Sequence, residues 1–456
     1  MSVSTMQPKY LSARNPSDAL PTTVDVIIIG AGPAGAAAAW ALDRAQPGIR
    51  TLVIERAATV GAGSSRASLE NFRTCWPTAC LARMMQRSVH IFLHADDYLG
   101  DGAFEALHPK QRGYLWCGFN DAHAAGFQAD VAHLNAMDID VVTYLDADEV
   151  AYRFPWLGRR VIAAKHDPTA GWLDSNALIQ RYLQSASGAQ VLLDAGDVKL
   201  CIDGGRVTGV TTAAGTIRAP AVVLAAGAWA TEIASAADLW LPIILRPRQS
   251  FTTGWRHEAF PDDAPMLIGS APFPHVRPEA RSGAIFGWEY RWHRKYAPLD
   301  ELRRGKMHPA PTEYDDALRT PVPSIDTLKD PRFPSITLAL LARQFGHTTN
   351  GFADGRYLRN LYHNIGYYVY RGAKAAYRVE ADGTRTPYES ERAILDAHPD
   401  VAGLYLSIAH SGHGIMSSPC AGEIIAAKVL GQPLADSHYS DFGIDVAWVA
   451  HDENAL

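Results

Sequence analysis

The sequence predicts an α/β fold in which a discontinuous Rossmann-type nucleotide-binding domain is interleaved with a β-rich α+β domain. Three observations carry this expectation. The run Val24-Asp25-Val26-Ile27-Ile28-Ile29 has the β-branched character of a strand buried on both faces of a parallel sheet. It passes directly into Gly30-Ala31-Gly32-Pro33-Ala34-Gly35 and an alanine-rich helix ending near Arg44, and a strand at residues 51–54 completes a β–α–β unit. Parallel-type strands and helices alternate near both chain ends, while residues 241–289 between them are β-rich and aromatic.

Each glycine of the first loop has a distinct task. Gly30 permits the strand-to-helix turn, Gly32 lets the main chain approach a pyrophosphate, and Gly35 lets helix and strand pack closely. Pro33 and Ala34 open the helix, whose N-terminal amides and dipole favour an anion. Glu55 stands at the end of the second strand, where a carboxylate accepts hydrogen bonds from the adenosine ribose hydroxyls. An acid there repels a 2′-phosphate, which disfavours NADP and leaves NAD and FAD open. The loop at residues 61–68, with Ser64, Ser65 and Arg66, offers donors for a second polar end of such a cofactor.

Further along, Leu81, Met85, Val89 and Phe92 recur at helical spacing within residues 78–97, and Met84 and Met85 read as core filler. Short strands are expected at 113–117 and 161–165, and others at 189–194 and 198–202. Asp203-Gly204-Gly205 is a tight turn into a strand at 207–212. Residues 221–227 form another buried strand ending on glycine. Residues 295–332 read as a surface excursion, followed by helical material at 336–345 and the aromatic run Gly366-Tyr367-Tyr368-Val369-Tyr370. Near the C-terminus, His410-Ser411-Gly412-His413-Gly414-Ile415-Met416-Ser417-Ser418-Pro419 leads into a last helix. Ser418 is its expected N-cap, Pro419 its first residue, and Gly431 its terminator. The expected division is a flexible leader at 1–21, a nucleotide domain at 22–105, 160–238 and 396–445, and a substrate domain at 106–159 and 239–395.

Composition narrows the function classes. The 456 residues are 47% hydrophobic with a net charge of -6, enough for two or three folding units and without a basic footprint for nucleic acid. No apolar run approaches the ~18 residues of a membrane span. Five scattered cysteines and an N-terminus without an apolar segment point to a reducing compartment, the cytoplasm. His410 and His413 lack the third ligand a metal site needs.

Taken in order, several motifs resemble the FAD-dependent D-amino-acid oxidase and sarcosine oxidase superfamily, the glutathione reductase-2 group. They are residues 29–35, Glu55-Arg56, Gly63-Ser64-Ser65-Arg66, residues 222–229 ending Ala226-Gly227-Ala228-Trp229, Gly366-Tyr367-Tyr368, and Ser411-Gly412-His413-Gly414-Ile415. The resemblance covers nearly the whole chain. It implies FAD, non-covalently held because Arg66 stands where some relatives carry a flavin-linked histidine. By the same resemblance Val198 meets the adenine, Ala226, Gly227 and Trp229 pass close to the cofactor, and Gly412, His413, Gly414, Ile415 and Met416 lie beside the flavin pyrimidine. The implied activity is oxidation of the C–N bond of a small amine or amino acid, with oxygen or a quinone as acceptor. Alternatives are oxidation of a 2-hydroxy acid and a cofactor-holding assembly or chaperone protein.

The run at 366–370 resembles the strand such proteins place across the flavin, which nominates Tyr368, Tyr370, Trp288 and His413 at the reacting end. Glycine oxidase-like members carry a carboxylate-gripping arginine where Tyr368 stands here, so Arg371, Arg248 and Arg291 are the replacement candidates. Asn364 replaces a family tryptophan, and Pro387-Tyr388-Glu389-Ser390 replaces Pro-x-Ile-Gly, a remodelled loop. Trp288, Tyr290, Trp292, Tyr367, Tyr368 and Tyr370 form either core or an aromatic pocket whose ring faces suit an amine cation.

Overall fold

A computed structural model of the chain describes residues 9–15, 18–288, 322, 324–347, 350–379 and 385–446, with the backbone alone of Lys9, 373–379 and 385–389. Arg291, Tyr290, Trp292 and most of the 295–332 excursion lie outside the described residues.

Four runs expected as strands, at 24–29, 51–54, 189–194 and 221–227, assemble with three further segments into one sheet of seven, in the order Lys9–Ser12, Ala189–Leu193, Thr51–Ile54, Val26–Ile29, Ala221–Leu224, Leu404–Ile408, Ile394–Ala397. Every pairing is parallel except the last, Ile394–Ala397 against Leu404–Ile408. Val26–Ile29 is buried along its whole length: Val26 and Ile28 share a core with the helices Pro33–Ala45 and Gly414–Val429, and Ile27 and Ile29 share one with Val207, Val210 and Ile217. The helix Pro33–Ala45 buries its alanines against the helix Gly414–Val429, where Gly422 meets the Ala37 carbonyl too closely for any side chain. The 203–206 turn is as expected, with Gly204 and Gly205 both at positive φ inside the antiparallel meander Lys199–Asp203, Arg206–Thr212, Gly215–Arg218.

The second domain is a nine-stranded sheet. Its order is Arg385–Ser390, Tyr362–Val379, Ile243–Thr253, Gly283–Gly287, His275–Glu279, Met266–Ile268, Tyr114–Gly118, Ala163–Asp167, Thr143–Asp146. The helix Phe333–Phe345 packs on it, and Phe333, Leu341 and Phe345 join Phe251 and Phe286 in its core. Met84 and Met85, in the helix Ala79–Leu93, are buried core residues.

Five expectations need correction. The leader is not free: Lys9–Ser12 pairs in parallel with residues 190–193 and extends the nucleotide sheet at its edge. Ala163–Asp167 belongs to the substrate sheet, pairing with Tyr114–Gly118, so the nucleotide domain does not resume at 160. Ile394–Ala397 belongs to the nucleotide sheet, two residues before the expected boundary at 396. The remodelled segment at 387–390 lies in an edge strand rather than a loop. The described end of the 295–332 excursion is not wholly a surface segment: Ser324, Asp326 and Thr327 are exposed, but Leu328 and Asp330 are buried inside the protein.

Candidate active site

One continuous cavity of about 1160 Å³ is walled by residues of both domains. That exceeds the ~300–1,000 Å³ of a usual small-molecule site and suits a large ligand with a small one beside it.

At the nucleotide end the three glycines divide as their spacing predicts. A Cβ on Gly30, whose φ is +107°, would lie 2.5 Å from the Ala225 carbonyl oxygen, and one on Gly35 would lie 1.9 Å from that of Gly30. Both are required by the protein's own packing, and Gly35 accordingly stands behind the cavity wall. Gly32 differs. A Cβ there meets no atom of the described residues within 4 Å, and its extended backbone suits any residue. Nothing among the described residues asks for glycine at 32, whereas a phosphate closing on the helix N-terminus would. Gly32, Pro33 and Ala34 line the cavity there.

Glu55 is buried beside this loop, its carboxylate oxygens accepting from the Ala31 amide at 3.1 Å and the Ala57 amide at 3.0 Å. Two backbone donors fix the acid at the strand end and leave each oxygen a further lone pair for a ribose hydroxyl. Val198, Ala226, Gly227 and Trp229 complete this end, with Arg56 over the Trp229 ring at 5.4 Å. These residues fit an adenosine diphosphate moiety.

At the other end, the edge of the strand Tyr362–Val379 is pinned from two directions. The Tyr367 amide donates to Ser64 Oγ at 3.0 Å, and the Ser411 amide donates to the Val369 carbonyl at 2.8 Å. Ser65 turns its hydroxyl back to the Gly61 carbonyl at 3.1 Å, holding the 3₁₀ turn Ser64–Ala67 in the cavity wall. Gly412 lies under Tyr368, where a Cβ would stand 2.4 Å from the ring. Gly414, Ile415 and Met416 then open the last helix on the cavity wall, so its positive end faces the ligand space.

The helix begins at Gly414, not at Ser418–Pro419 as the capping signals suggest. Pro419 lacks the N–H that would bond the Ile415 carbonyl, and Ser418 Oγ donates to that carbonyl at 2.8 Å instead, so the helix runs through the proline. Its end is as expected, with Gly431 and Gln432 donating to Lys428 and Ala427.

His413 lines the cavity but is almost wholly buried, its edge on the Trp76 ring and its Nε2 2.6 Å from the Glu391 carbonyl. Burial holds its pKa down to about 4 and that of His410 to about 3, so both are neutral wall residues at neutral pH.

Tyr368, Tyr370, Arg248 and Trp288 share the cavity wall at the substrate end. The Arg248 guanidinium lies 5.6 Å from the Tyr368 ring centre and 5.8 Å from that of Tyr370. Arg248 sits opposite Gly366 in the ladder, a pairing that leaves its side chain room. Arg371 does not reach this space. Period-two alternation turns it to the opposite side from Tyr368 and Tyr370, where it donates to the carbonyls of Ala393 at 2.9 Å, Arg392 at 3.3 Å and Phe442 at 3.3 Å. Arg66 is exposed and outside the cavity, because the turn Ser64–Ala67 directs Ser64, Ser65 and Ala67 inward and Arg66 outward.

The structure adds wall residues that the sequence reading did not single out: Asn71, Arg73, Trp76, Tyr114, Met266, Ile268, His275 and Glu391. Arg73 is buried with its guanidinium over Trp76 at 4.5 Å, Trp116 at 5.4 Å and Tyr114 at 5.8 Å. Arg277, which donates to the Leu69 carbonyl at 2.7 Å and to Asn71 Oδ1 at 3.1 Å, ties this segment to the substrate sheet. The only advance signal was the density of Asn, Arg and Trp between 71 and 76, which follows no period. Among the described residues no group of three His, Cys, Asp or Glu side chains could hold a metal ion, and no helix is long and apolar enough to cross a membrane.

Residues 25–428 match the protein family described as FAD dependent oxidoreductase. Over 454 residues the chain is 23% identical to the FAD-dependent oxidoreductase domain-containing protein 1 homolog of Drosophila melanogaster, covering 91% of this chain and 76% of that one. Among solved structures it is similar to L-proline dehydrogenase from P. horikoshii, with 20% identity, a TM-score of 0.69 and coverage of 93% of this chain and 97% of that one. It is also similar to glycine oxidase from Bacillus cereus, with 18% identity, a TM-score of 0.66 and coverage of 93% and 99%. At such identities the structural likeness is one of fold. With the family match spanning nearly the whole chain and the glycine cradle, buried Glu55 and second helix N-terminus fitting the two ends of one dinucleotide, the chain belongs to the FAD-dependent oxidoreductase family and its cofactor is FAD.

Proposed function

We propose that the protein oxidises the C–N bond of a small amine or amino acid. The observation that carries this is the composition of the cavity beyond the cofactor walls. Arg248, between Tyr368 and Tyr370, offers a cation for a carboxylate, and Glu391 with the ring faces of Tyr368, Tyr370 and Trp288 offers partners for an amine. Proteins of similar fold include ones named for proline and glycine, which supports an amino acid as the substrate class.

FAD held by the glycine cradle, Glu55 and the second helix N-terminus would supply a two-electron acceptor for hydride from the substrate carbon. The chain's own residues then have three tasks. Arg248 and the two tyrosines orient the substrate, the rate contribution being chiefly one of placement. The N-terminus of the helix Gly414–Val429 lowers the energy of negative charge developing beside Gly412–Ile415. Buried, neutral His410 and His413 keep that wall free of competing protons. The imine product hydrolyses in water, and oxygen or a quinone takes the electrons onward. None of the five cysteines lines the cavity, which supports a non-covalently held FAD; all five are free and four are buried, which supports the cytoplasm as the compartment.

Anaerobic mixing of the FAD-loaded protein with amine, amino-acid and 2-hydroxy-acid panels tests this reading. Amines or amino acids should bleach the flavin within seconds, and Arg248→Met should weaken amino acids at least tenfold while sparing amines without a carboxylate. Bleaching by hydroxy acids alone, or by nothing, would refute it.

A further inference from the structure

Before hydride can leave carbon, the neighbouring nitrogen must offer its lone pair, yet at pH 7 an amine arrives as an ammonium. With a pKa like that of a lysine ammonium, about 10.4, only about one molecule in 2,500 is neutral. The surplus proton needs an acceptor at the substrate end. Arginines and tyrosines there are not acceptors at neutral pH, His410 is enclosed between the Ser407 and Ser417 hydroxyls, and His413 Nε2 is engaged with the Glu391 carbonyl.

Four described carboxylates line the cavity: Glu55, Asp197, Glu232 and Glu391. Glu55 is fixed at the ribose by the Ala31 and Ala57 amides, Asp197 adjoins Val198 at the adenine, and Glu232 lies 3.8 Å from Arg56 beside Trp229. Those three serve the nucleotide end. Glu391 stands at the opposite end, where its carboxylate accepts from the Ser411 hydroxyl. Ser411 is itself fixed by its amide on the Val369 carbonyl, so Glu391 is held in register with the strand carrying Tyr368 and Tyr370. His413 Nε2 on the Glu391 carbonyl anchors the main chain at the same residue.

We propose that Glu391 is the proton acceptor for the substrate ammonium. The step breaks one N–H bond of the ammonium and forms one O–H bond on the Glu391 carboxylate. The nitrogen keeps the electron pair and becomes the neutral amine from which hydride can leave. No oxidant is consumed in this step. Among the described residues, the ionisable groups nearest Glu391 along the chain and in hydrogen-bond contact are adjoining Arg392 and His413, whose Nε2 meets the Glu391 carbonyl. This role of Glu391 rests on the amine-oxidation reading.

The test compares FAD-loaded wild type with Glu391→Gln by anaerobic stopped-flow bleaching across pH, using the best amine of the panel. Wild type should lose rate only as pH falls far enough to protonate Glu391. The glutamine variant depends on neutral amine from solution. Its rate should fall at least a hundredfold at pH 7 and recover about tenfold per pH unit towards the amine's own pKa, so the gap to wild type closes from the alkaline side. FAD content should be unchanged, and Glu391→Asp should restore part of the neutral-pH rate. If Glu391→Gln retains no FAD, Ser411→Ala, which frees the carboxylate from its orienting hydroxyl, should show the same pH signature more weakly. A pH-independent loss, or no loss, in the variant examined overturns the assignment. A wild type that no amine bleaches instead refutes amine oxidation, and the assignment falls with it.

Discussion

Gly32→Ala separates the polypeptide's needs from the cofactor's. An added methyl meets no atom of the described residues within 4 Å, and the backbone at φ −77° and ψ −177° is comfortable for alanine. The apoprotein should therefore fold as before, with a gain of about 0.4–1 kcal/mol from the stiffer unfolded chain. With the pyrophosphate on this helix N-terminus, the methyl would fill the space a phosphate oxygen needs to reach the helix amides. Losing one charge-assisted hydrogen bond there costs about 1.5–3 kcal/mol, a rise in FAD Kd of roughly tenfold to a hundredfold. The assay is paired: FAD titration followed by tryptophan fluorescence, and thermal melts with and without FAD. Saturating wild type at a hundred times Kd stabilises it by about 2.7 kcal/mol, and at the same FAD concentration that increment should fall to about 0.4–1.4 kcal/mol in the variant. A Gly32→Ala protein that binds FAD like wild type refutes the placement of the pyrophosphate. One whose apo form melts far lower refutes the claim that glycine is there for the ligand.

Three other outcomes follow from particular contacts. Arg371→Met leaves the Arg392, Ala393 and Phe442 carbonyls short of a buried donor and should cost at least about 2 kcal/mol in denaturant melts, while substrate Kd in the folded fraction is unchanged. Ser418→Ala strips the Ile415 carbonyl of its proline-bridging donor and removes the Tyr182 contact, and should cost about 1–3 kcal/mol by the same measurement. Burial lowers His413 from an ordinary 6.5 to about 4, so the unfolded chain takes up a proton that the fold refuses. Stability is then undiminished above pH ~6.5 and declines as pH falls towards 4, by on the order of 3 kcal/mol for this residue alone. Melting temperature against pH, with His413→Gln as control, should show a shallower acid slope in the variant.

What the sequence made legible was local. The fingerprint loop, Glu55, the Gly204-Gly205 turn and the Gly431 helix end are each decided within a few residues by φ, capping or spacing. The edge strand Lys9–Ser12 was read as a leader because its partner lies about 180 residues away and four residues show no usable period. Arg248 and Arg371 were indistinguishable as candidates, since choosing between them requires knowing which face of the strand Tyr362–Val379 meets the cavity. Glu391 and Arg73 reach the site only through pairing between distant segments, and no short window contains the reason for either. The Ser418–Pro419 signal misled because a hydroxyl can replace a missing amide inside a helix as well as cap its start.

The order of strands in the nucleotide sheet has a consequence for how the protein is made. Ala221–Leu224 gains its outer neighbour only when Leu404–Ile408 emerges, and the wall at 411–416 follows later still. A ribosome has released most of the chain before a slot for the flavin ring exists. Nascent protein must therefore wait with a half-built sheet edge exposed, and cofactor loading is an event of the finished polypeptide. Losing the last tenth of the chain would forfeit the coenzyme even though its fingerprint, at the other terminus, remained intact.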